Sequence, residues 1–333
     1  MEHIAVSLFS GAGGLDIGLE QAGFHTAICQ EWDPVCCQTL TVNGKRVLQG
    51  DIRELTPDQL LQEAGIERAQ VALVYGGPPC QPFSTAGKKQ GIRDPRGSLF
   101  RDFVRFVDDI RPRFFLMENV QGLTSSYIPN SDQTAYDIIC SEFLRIGYTF
   151  SSELLNAADF GVPQARKRMI FMGSRDNEPI HLPKPNSEKQ QTLRDAVYDL
   201  KEDPGLCAEF SPSRLKFLRM VPEGGNWRSL PEEVLDEAMG GARHSGGGKV
   251  GFYRRLSWDK PCPTLVTSPI QKATMLCHPE YDRPLSVREY ARIQQFPDNW
   301  VFCGRMMEQY RQIGNAVPVG LGKAIGEAFW SCD

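Results

Sequence analysis

The run Ile4–Gly23, "IAVSLFSGAGGLDIGLEQAG", decides how the rest of the chain is read. It opens with "IAVSLF", a mostly apolar stretch of the length of a buried strand, and "GAGG" after it reads as a tight turn. "LDIGLEQAG" then carries apolar residues at helical spacing and closes on Gly23, the residue type that most readily ends a helix. In the turn Phe9-Ser10-Gly11-Ala12-Gly13-Gly14, backbone N–H groups at a helix N-terminus can meet an anionic ligand group. Asp16 stands where the dinucleotide fingerprint has its third glycine, so a nicotinamide dehydrogenase, which the first glycines alone suggest, fails on an incomplete pattern.

Outward from this run the pattern alternates. A second strand, "TAIC", leads to Glu31, where a carboxylate at a strand end can take both hydroxyls of a ribose. "VLQGDI" ends near Asp51, "VALVYGG" is an apolar strand, "LFRDFVRFVDDI" is helical, and "RFFLMENV" is a strand ending at Glu118 and Asn119. A helix in "TAYDIICSEFLRIGY" precedes two strands, "TFSSELLNA" and "RMIFMGSR", close enough to form an antiparallel pair. The expected fold is α/β, a doubly wound and mostly parallel sheet with helices on both faces, over residues 1–178. Near Pro179 the chain turns polar and rich in proline and glycine, which predicts a smaller, loop-rich domain over 179–282. Regular patterning returns in 283–333, first as a helix in "LSVREYARIQQFP" with Ser286 as N-cap, then as "PVGLGKAIGEAFW". The chain enters its first strand almost at once, so the last helix is expected to return beside that strand.

Bulk composition narrows the function classes. With 333 residues, no apolar run of membrane-spanning length and no signal-peptide pattern at the start, a cytoplasmic protein without membrane association is expected. Its ten cysteines form no CxxC pair and its five histidines do not sit at zinc-ligand spacing, which predicts reduced thiols and no metal. The net charge of −4 argues against a uniformly basic nucleic-acid coat, yet Lys88, Lys89, Arg93, Arg96, Arg101 and Arg105 crowd one segment.

That segment follows "VYGGPPCQPFSTAGKKQG", Val74–Gly91. The strand before it delivers Cys80 to the carboxyl edge of the sheet, and the prolines restrict the backbone around the thiol. A nucleophile belongs there, provided its surroundings favour the thiolate. A ribose-bearing cofactor with a sulfonium, such as S-adenosylmethionine, would place its carboxylate at the glycine turn and its cation near an aromatic face, for which Phe9 and Trp32 stand at strand ends.

Taken in order, "FSGAGGLDIGLEQAG", "GPPCQPFS", "ENV", "QARKR" and "GNAVP" resemble the motif series of the bacterial DNA (cytosine-5)-methyltransferases of restriction-modification type. The resemblance spans nearly the whole chain and leaves about 177–279 unmatched, where that family keeps its target-recognition region. It implies a Rossmann-like S-adenosylmethionine-dependent catalytic domain, a target-recognition domain, and a hinge helix with a returning C-terminal helix.

By that resemblance Cys80 adds to carbon 6 of a flipped cytosine, Glu118 contacts ring N3 and the exocyclic amine, Arg168 holds O2, Arg166 helps stabilise the adduct, and Asn119 fixes the cysteine loop. The donor pocket takes Phe9, Gly11, Gly13, Glu31, Trp32, Asp51, Ile52, Pro79, Leu99, Asn315 and Val317, with Glu31 on ribose and Asp51 on the adenine amine. DNA contacts are expected from Ser84, Lys88, Lys89 and Arg96 in the cysteine loop, and from Arg228, Arg243, Lys249, Arg254 and Arg255 beyond Pro179. The implied partners are double-stranded DNA and a separate cognate restriction endonuclease, and the implied state is a monomer. Two alternatives stay open: a tRNA cytosine-5 methyltransferase, whose relatives typically carry Cys-Phe-Thr where this chain has Cys80-Gln81-Pro82-Phe83-Ser84, and a catalytically silent DNA-binding module of the same fold.

Overall fold

The computed structural model describes residues 3–79, 99–125, 133–176, 178–185, 190–246 and 248–330. They fall into two compact units, one of residues 1–160, 167–186 and 317–333, the other of 161–166 and 187–316.

Numbered in chain order, the first unit holds strands β1 (His3–Leu8), β2 (Phe24–Glu31), β3 (Val47–Gln49), β4 (Val71–Gly76), β5 (Phe114–Val120), β6 (Thr149–Asn156) and β8 (Lys167–Ser174). Its helices are α1 (Gly14–Gln21), α2 (Pro34–Val42), α3 (Pro57–Ala64), α4 (Leu99–Ile110), α5 (Ala135–Arg145) and α11 (Val319–Ala328). The seven strands form one sheet in the order β3-β2-β1-β4-β5-β8-β6, parallel from β3 to β5. The expected antiparallel pair of β6 and β8 is present, with β8 inserted between β5 and β6 and antiparallel to both.

Helix α4 buries Phe100, Phe103, Val104, Phe106, Val107 and Ile110, the one-sided spacing of an amphipathic helix. These residues share a core with Phe115, Phe143 and Phe171, in which the rings of Phe115 and Phe143 stack at 3.9 Å. Helix α11 lies against α1, and the contact is close because glycines meet: a Cβ on Gly18 would lie 2.4 Å from the Val319 carbonyl oxygen. The Trp330 indole N–H donates to the Ala22 carbonyl at 2.7 Å and closes the end of that contact. No helix of the described residues is long and apolar enough to cross a membrane.

The second unit holds β7 (Gln164–Ala165), paired in parallel with β9 (Cys262–Pro263), and the helices α6 (Leu193–Val197), α7 (Pro212–Leu218), α8 (Glu232–Met239), α9 (Val287–Ile293) and α10 (Met306–Asn315). Its core gathers Phe217, Leu218, Leu235, Met239, Tyr253 and Met275. Ser286 caps α9 as its sequence predicts, in a capping box with Glu289.

Beside that cap lies a buried titratable group. His278 is fully buried; its Nδ1 accepts from the backbone N–H groups of Glu280 and Tyr281 at 3.1 Å each, and its Nε2 lies 3.7 Å from Glu289. Burial, followed by the charges of Arg283, Arg255 and Lys201, lowers its pKa to about 3. The unfolded chain therefore takes up a proton near the ordinary value while the folded one stays neutral, and stability falls as pH drops through that window. Acidifying from about pH 6.5 to about pH 5 is expected to cost about 2 kcal/mol through this group. Urea unfolding of His278→Gln beside the parent, across that range, checks it: an unchanged pH slope in the variant would remove His278 as the source.

Candidate active site

Because β1, β2, β4 and β5 run parallel, their carboxyl ends share one edge of the sheet, and the strand order reverses between β1 and β4. That reversal makes the crevice where such sheets bind ligands. The turn after β1 begins with Phe9 at φ 55° and passes through Gly11 at φ 57° and Gly13 at φ 86°, the N-cap of α1. Left-handed angles suit the two glycines and strain Phe9, a strain that concentrates at ligand sites.

Glu31, at the end of β2, is pinned by three backbone donors: Gly11 to Oε2 at 2.7 Å, and Trp32 and Asp33 to Oε1 at 2.8 Å each. Burial raises its pKa, and the same N–H groups pull it back. Gln30, which sequence reasoning passed over, stitches the pocket: its Oε1 accepts from Phe9 N–H at 3.2 Å and its Nε2 donates to the Gly50 carbonyl at 2.8 Å. A glutamine directly before a strand-end carboxylate was the available signal. Trp32 is 66% exposed, so its indole is open to a ring or a cation.

Asp51 follows Gly50 and is bound by Arg53, whose Nε lies 2.9 and 3.1 Å from its two oxygens and holds the carboxyl below its usual range. Ile52 is buried, and Arg105 of α4 donates to the carbonyls of Ile52 at 2.7 Å and Leu55 at 3.0 Å. Arg105, one of the crowded cations, thus serves this loop. Leu99 opens α4, and Val317 is buried in the same unit.

On the other side of β4, Glu118 of β5 pairs in the ladder with Ile170 of β8, which makes Arg168 its diagonal neighbour. Arg168 Nε lies 2.6 Å from Glu118 Oε1, with each side chain only 13% exposed. Gly77, just past β4, makes room for the carboxylate: a Cβ there would lie 2.7 Å from Glu118 Oε2. Buried Asn119 donates to the Pro78 carbonyl at 3.2 Å and accepts from Val120 N–H at 2.8 Å, which ties β5 to the backbone entering the cysteine loop. Pro79 is exposed, and Cys80 lies outside the described residues.

A family model for C-5 cytosine-specific DNA methylase matches residues 4–331. The chain belongs to that family. Among its relatives, the type II methyltransferase M.Eco47II of Escherichia coli is 42% identical over 98% of this chain and 78% of its own length. M.Sau96I of Staphylococcus aureus is 39% identical over 96% and 74%, and M1.HphI of Haemophilus parahaemolyticus 39% over 97% and 85%. The fold is shared with a prophage-encoded DNA modification methyltransferase from E. coli, at TM-score 0.71 and 24% identity over 98% of both chains. The Entamoeba histolytica methyltransferase EhMeth has TM-score 0.68 and 15% identity, over 99% of this chain and 98% of its own.

In this DNA (cytosine-5)-methyltransferase the remaining cysteines sharpen the choice of nucleophile. Burial pushes Cys37, Cys262 and Cys277 up to about 12 and raises Cys29, Cys140 and Cys207, so none of these six is a thiolate at neutral pH. Arg166 is buried within the second unit, where it donates to the carbonyls of Leu265 at 3.0 Å and Gly314 at 2.8 Å. Asn315 is exposed at the end of α10, next to that second carbonyl.

The candidates for DNA contact divide. Ser84, Lys88, Lys89 and Arg96 lie outside the described residues. Arg228 is exposed, with its guanidinium 5.1 Å from the Trp227 ring centre. Arg243 forms ion pairs with Asp236 at 2.7 Å and with Glu232, and Lys249 donates to the Arg243 carbonyl at 2.6 Å. Arg254 is half-buried, donates to Met275 O at 3.2 Å, and has its pKa lowered by burial. Arg255 is a correction: it is buried and its donors go to Val221, His278, Tyr281, Leu218 and Asp282. A guanidinium has five N–H groups, so none is left for DNA.

Proposed function

We propose that this enzyme methylates carbon 5 of one cytosine within a specific duplex sequence, with S-adenosylmethionine as donor, as the modification partner of a separate restriction endonuclease. The observation that carries the reading is the Glu118–Arg168 ion pair at 2.6 Å, set beside Gly77 at the mouth of the cysteine loop. Carbon 5 of cytosine is a poor nucleophile, and thiolate addition to carbon 6 makes it a good one. Cys80 supplies the thiolate, Glu118 contacts N3 and relays a proton to it as negative charge develops, and Arg168 holds Glu118 and is assigned to O2. Asn119 keeps the loop entrance in place through Pro78. Arg166 braces the Gly314 carbonyl beside Asn315. Once carbon 5 carries the methyl group, loss of its proton to solvent expels Cys80 as the thiolate and frees the base.

The residues fit the donor: Glu31 is fixed with both oxygens oriented, Gly11 and Gly13 supply the left-handed angles that let the turn pass beside it, and Trp32 leaves a face open. Once bound there, the donor supplies an electrophilic methyl group on a sulfonium. A target base inside a stacked duplex is out of reach, so it must rotate into the site. Cations of the cysteine loop, with Arg228, are the phosphate-contact set.

The test incubates purified enzyme with S-adenosylmethionine and mixed-sequence duplex DNA and maps 5-methylcytosine by deamination sequencing. Methylation confined to one short motif is expected. Absence of methylation despite measured donor binding, followed by activity on tRNA, would overturn the DNA assignment.

A further inference from the structure

Beneath the glycine turn lies a buried polar cluster that no step above uses. Asp16, in the first turn of α1, is fully buried, and its Oδ1 accepts from the Tyr75 hydroxyl at 3.0 Å and the Cys29 thiol at 3.3 Å. The Tyr75 oxygen is in turn 2.8 Å from the Thr26 hydroxyl. The Oδ2 of Asp16 has no hydrogen-bond partner among the described residues. A buried carboxylate oxygen without a partner is a liability to folding, and an apolar side chain of similar size avoids it.

What the cluster joins is specific. Asp16 follows Gly13 by three positions, Cys29 precedes Glu31 by two, and Tyr75 precedes Cys80 by five. Strands β2 and β4 flank β1 on opposite sides, so one carboxylate on α1 reaches across β1 to both. Burial, then the Asp16 charge, pushes the Cys29 thiol and the Tyr75 hydroxyl well above their ordinary values, so both stay donors.

We propose that Asp16 is a positioning residue for methyl transfer: through Tyr75 and Cys29 it holds the glycine turn in register with the strand ends that carry Glu31 and the cysteine loop. This rests on the reading that the glycine turn binds S-adenosylmethionine. Small errors in the placement of donor against nucleophile are costly, because transfer requires an aligned near-attack geometry.

The experiment uses the full chain with Asp16→Ala, Asp16→Asn and Tyr75→Phe. Donor binding is measured by calorimetry, kinetics with donor and DNA varied separately, and melting temperature for each protein. Failure of the parent to bind S-adenosylmethionine would remove the cofactor reading itself. With binding in hand, Asp16→Ala is expected to lower kcat/KM for the donor about 10²-fold and leave DNA affinity unchanged, with Tyr75→Phe showing roughly a tenfold loss. Asp16→Asn keeps an acceptor oxygen for both donors and is expected to recover most of the rate. If Asp16→Ala does not fold, Tyr75→Phe carries the comparison. Variants that melt earlier but keep parental kcat and KM overturn the proposal, as does an Asp16→Asn enzyme as impaired as Asp16→Ala.

Discussion

Glu118→Gln lowers kcat for methyl transfer by about 10²- to 10³-fold while leaving donor affinity near its parental value. Glutamine keeps the shape of the side chain and the space beside Gly77 but loses two things at once. It cannot take up a proton and pass it to ring N3, and before that step its neutral oxygen replaces the carboxylate that pairs with Arg168 at 2.6 Å, which weakens a charge-assisted contact to an ordinary one. Arg168 is little exposed and keeps its charge, so the loss includes an unneutralised guanidinium at the site. The donor pocket is untouched, because Glu31 and Gln30 take their hydrogen bonds from other elements. Single-turnover rates with saturating DNA, beside calorimetric donor titration, separate the two effects. A variant with a parental rate, or one that loses donor affinity in step with rate, would move Glu118 out of the reacting centre.

Cys80→Ala abolishes the covalent step, with turnover reduced on the order of 10⁴-fold or more. The residue itself lies outside the described residues, and its role is expected from its neighbours in sequence and from the thiols that burial excludes. Gly77 and Pro78 bring the chain past Glu118 Oε2 and the Asn119 amide. Six other cysteines are held protonated by burial. The clean readout is trapping: DNA with 5-fluorocytosine at the target forms a denaturation-resistant complex with the parent and none with Cys80→Ala, while gel-shift affinity for the same duplex persists. A trapped complex in the variant would assign the nucleophile elsewhere.

Much of the site's scaffold was legible beforehand because its signals are local. The strand, glycine turn and helix of Ile4–Gly23 fold as β1, the turn and α1. The apolar run ahead of Cys80 is β4, and Ser286 caps α9 through a serine-to-glutamate spacing that any helix start of that kind shows. Helix α3 carried the same kind of signal in Thr56, Pro57 and Gln59 and was passed over. The short helices α6, α7 and α8 left little periodicity to detect within a loop-rich stretch.

Side-chain partnerships are another matter. Arg255 and Arg228 read alike in a polar, glycine-rich segment, yet one is sunk among five acceptors and the other is exposed. Asp16 read only as a break in a glycine pattern, and it is a buried acceptor for two donors.

From the amino-acid order alone came the fold class and the family, since apolar periodicity, turn residues and motif order depend on neighbours along the chain. Packing was needed to insert β8 between β5 and β6, which sets Arg168 diagonally against Glu118, 50 positions earlier in the chain. It was needed also to bring Asp16 over β1 to Tyr75 and Cys29. The energy of such a charge or hydrogen bond depends on the distance and burial of a partner that the local sequence does not name.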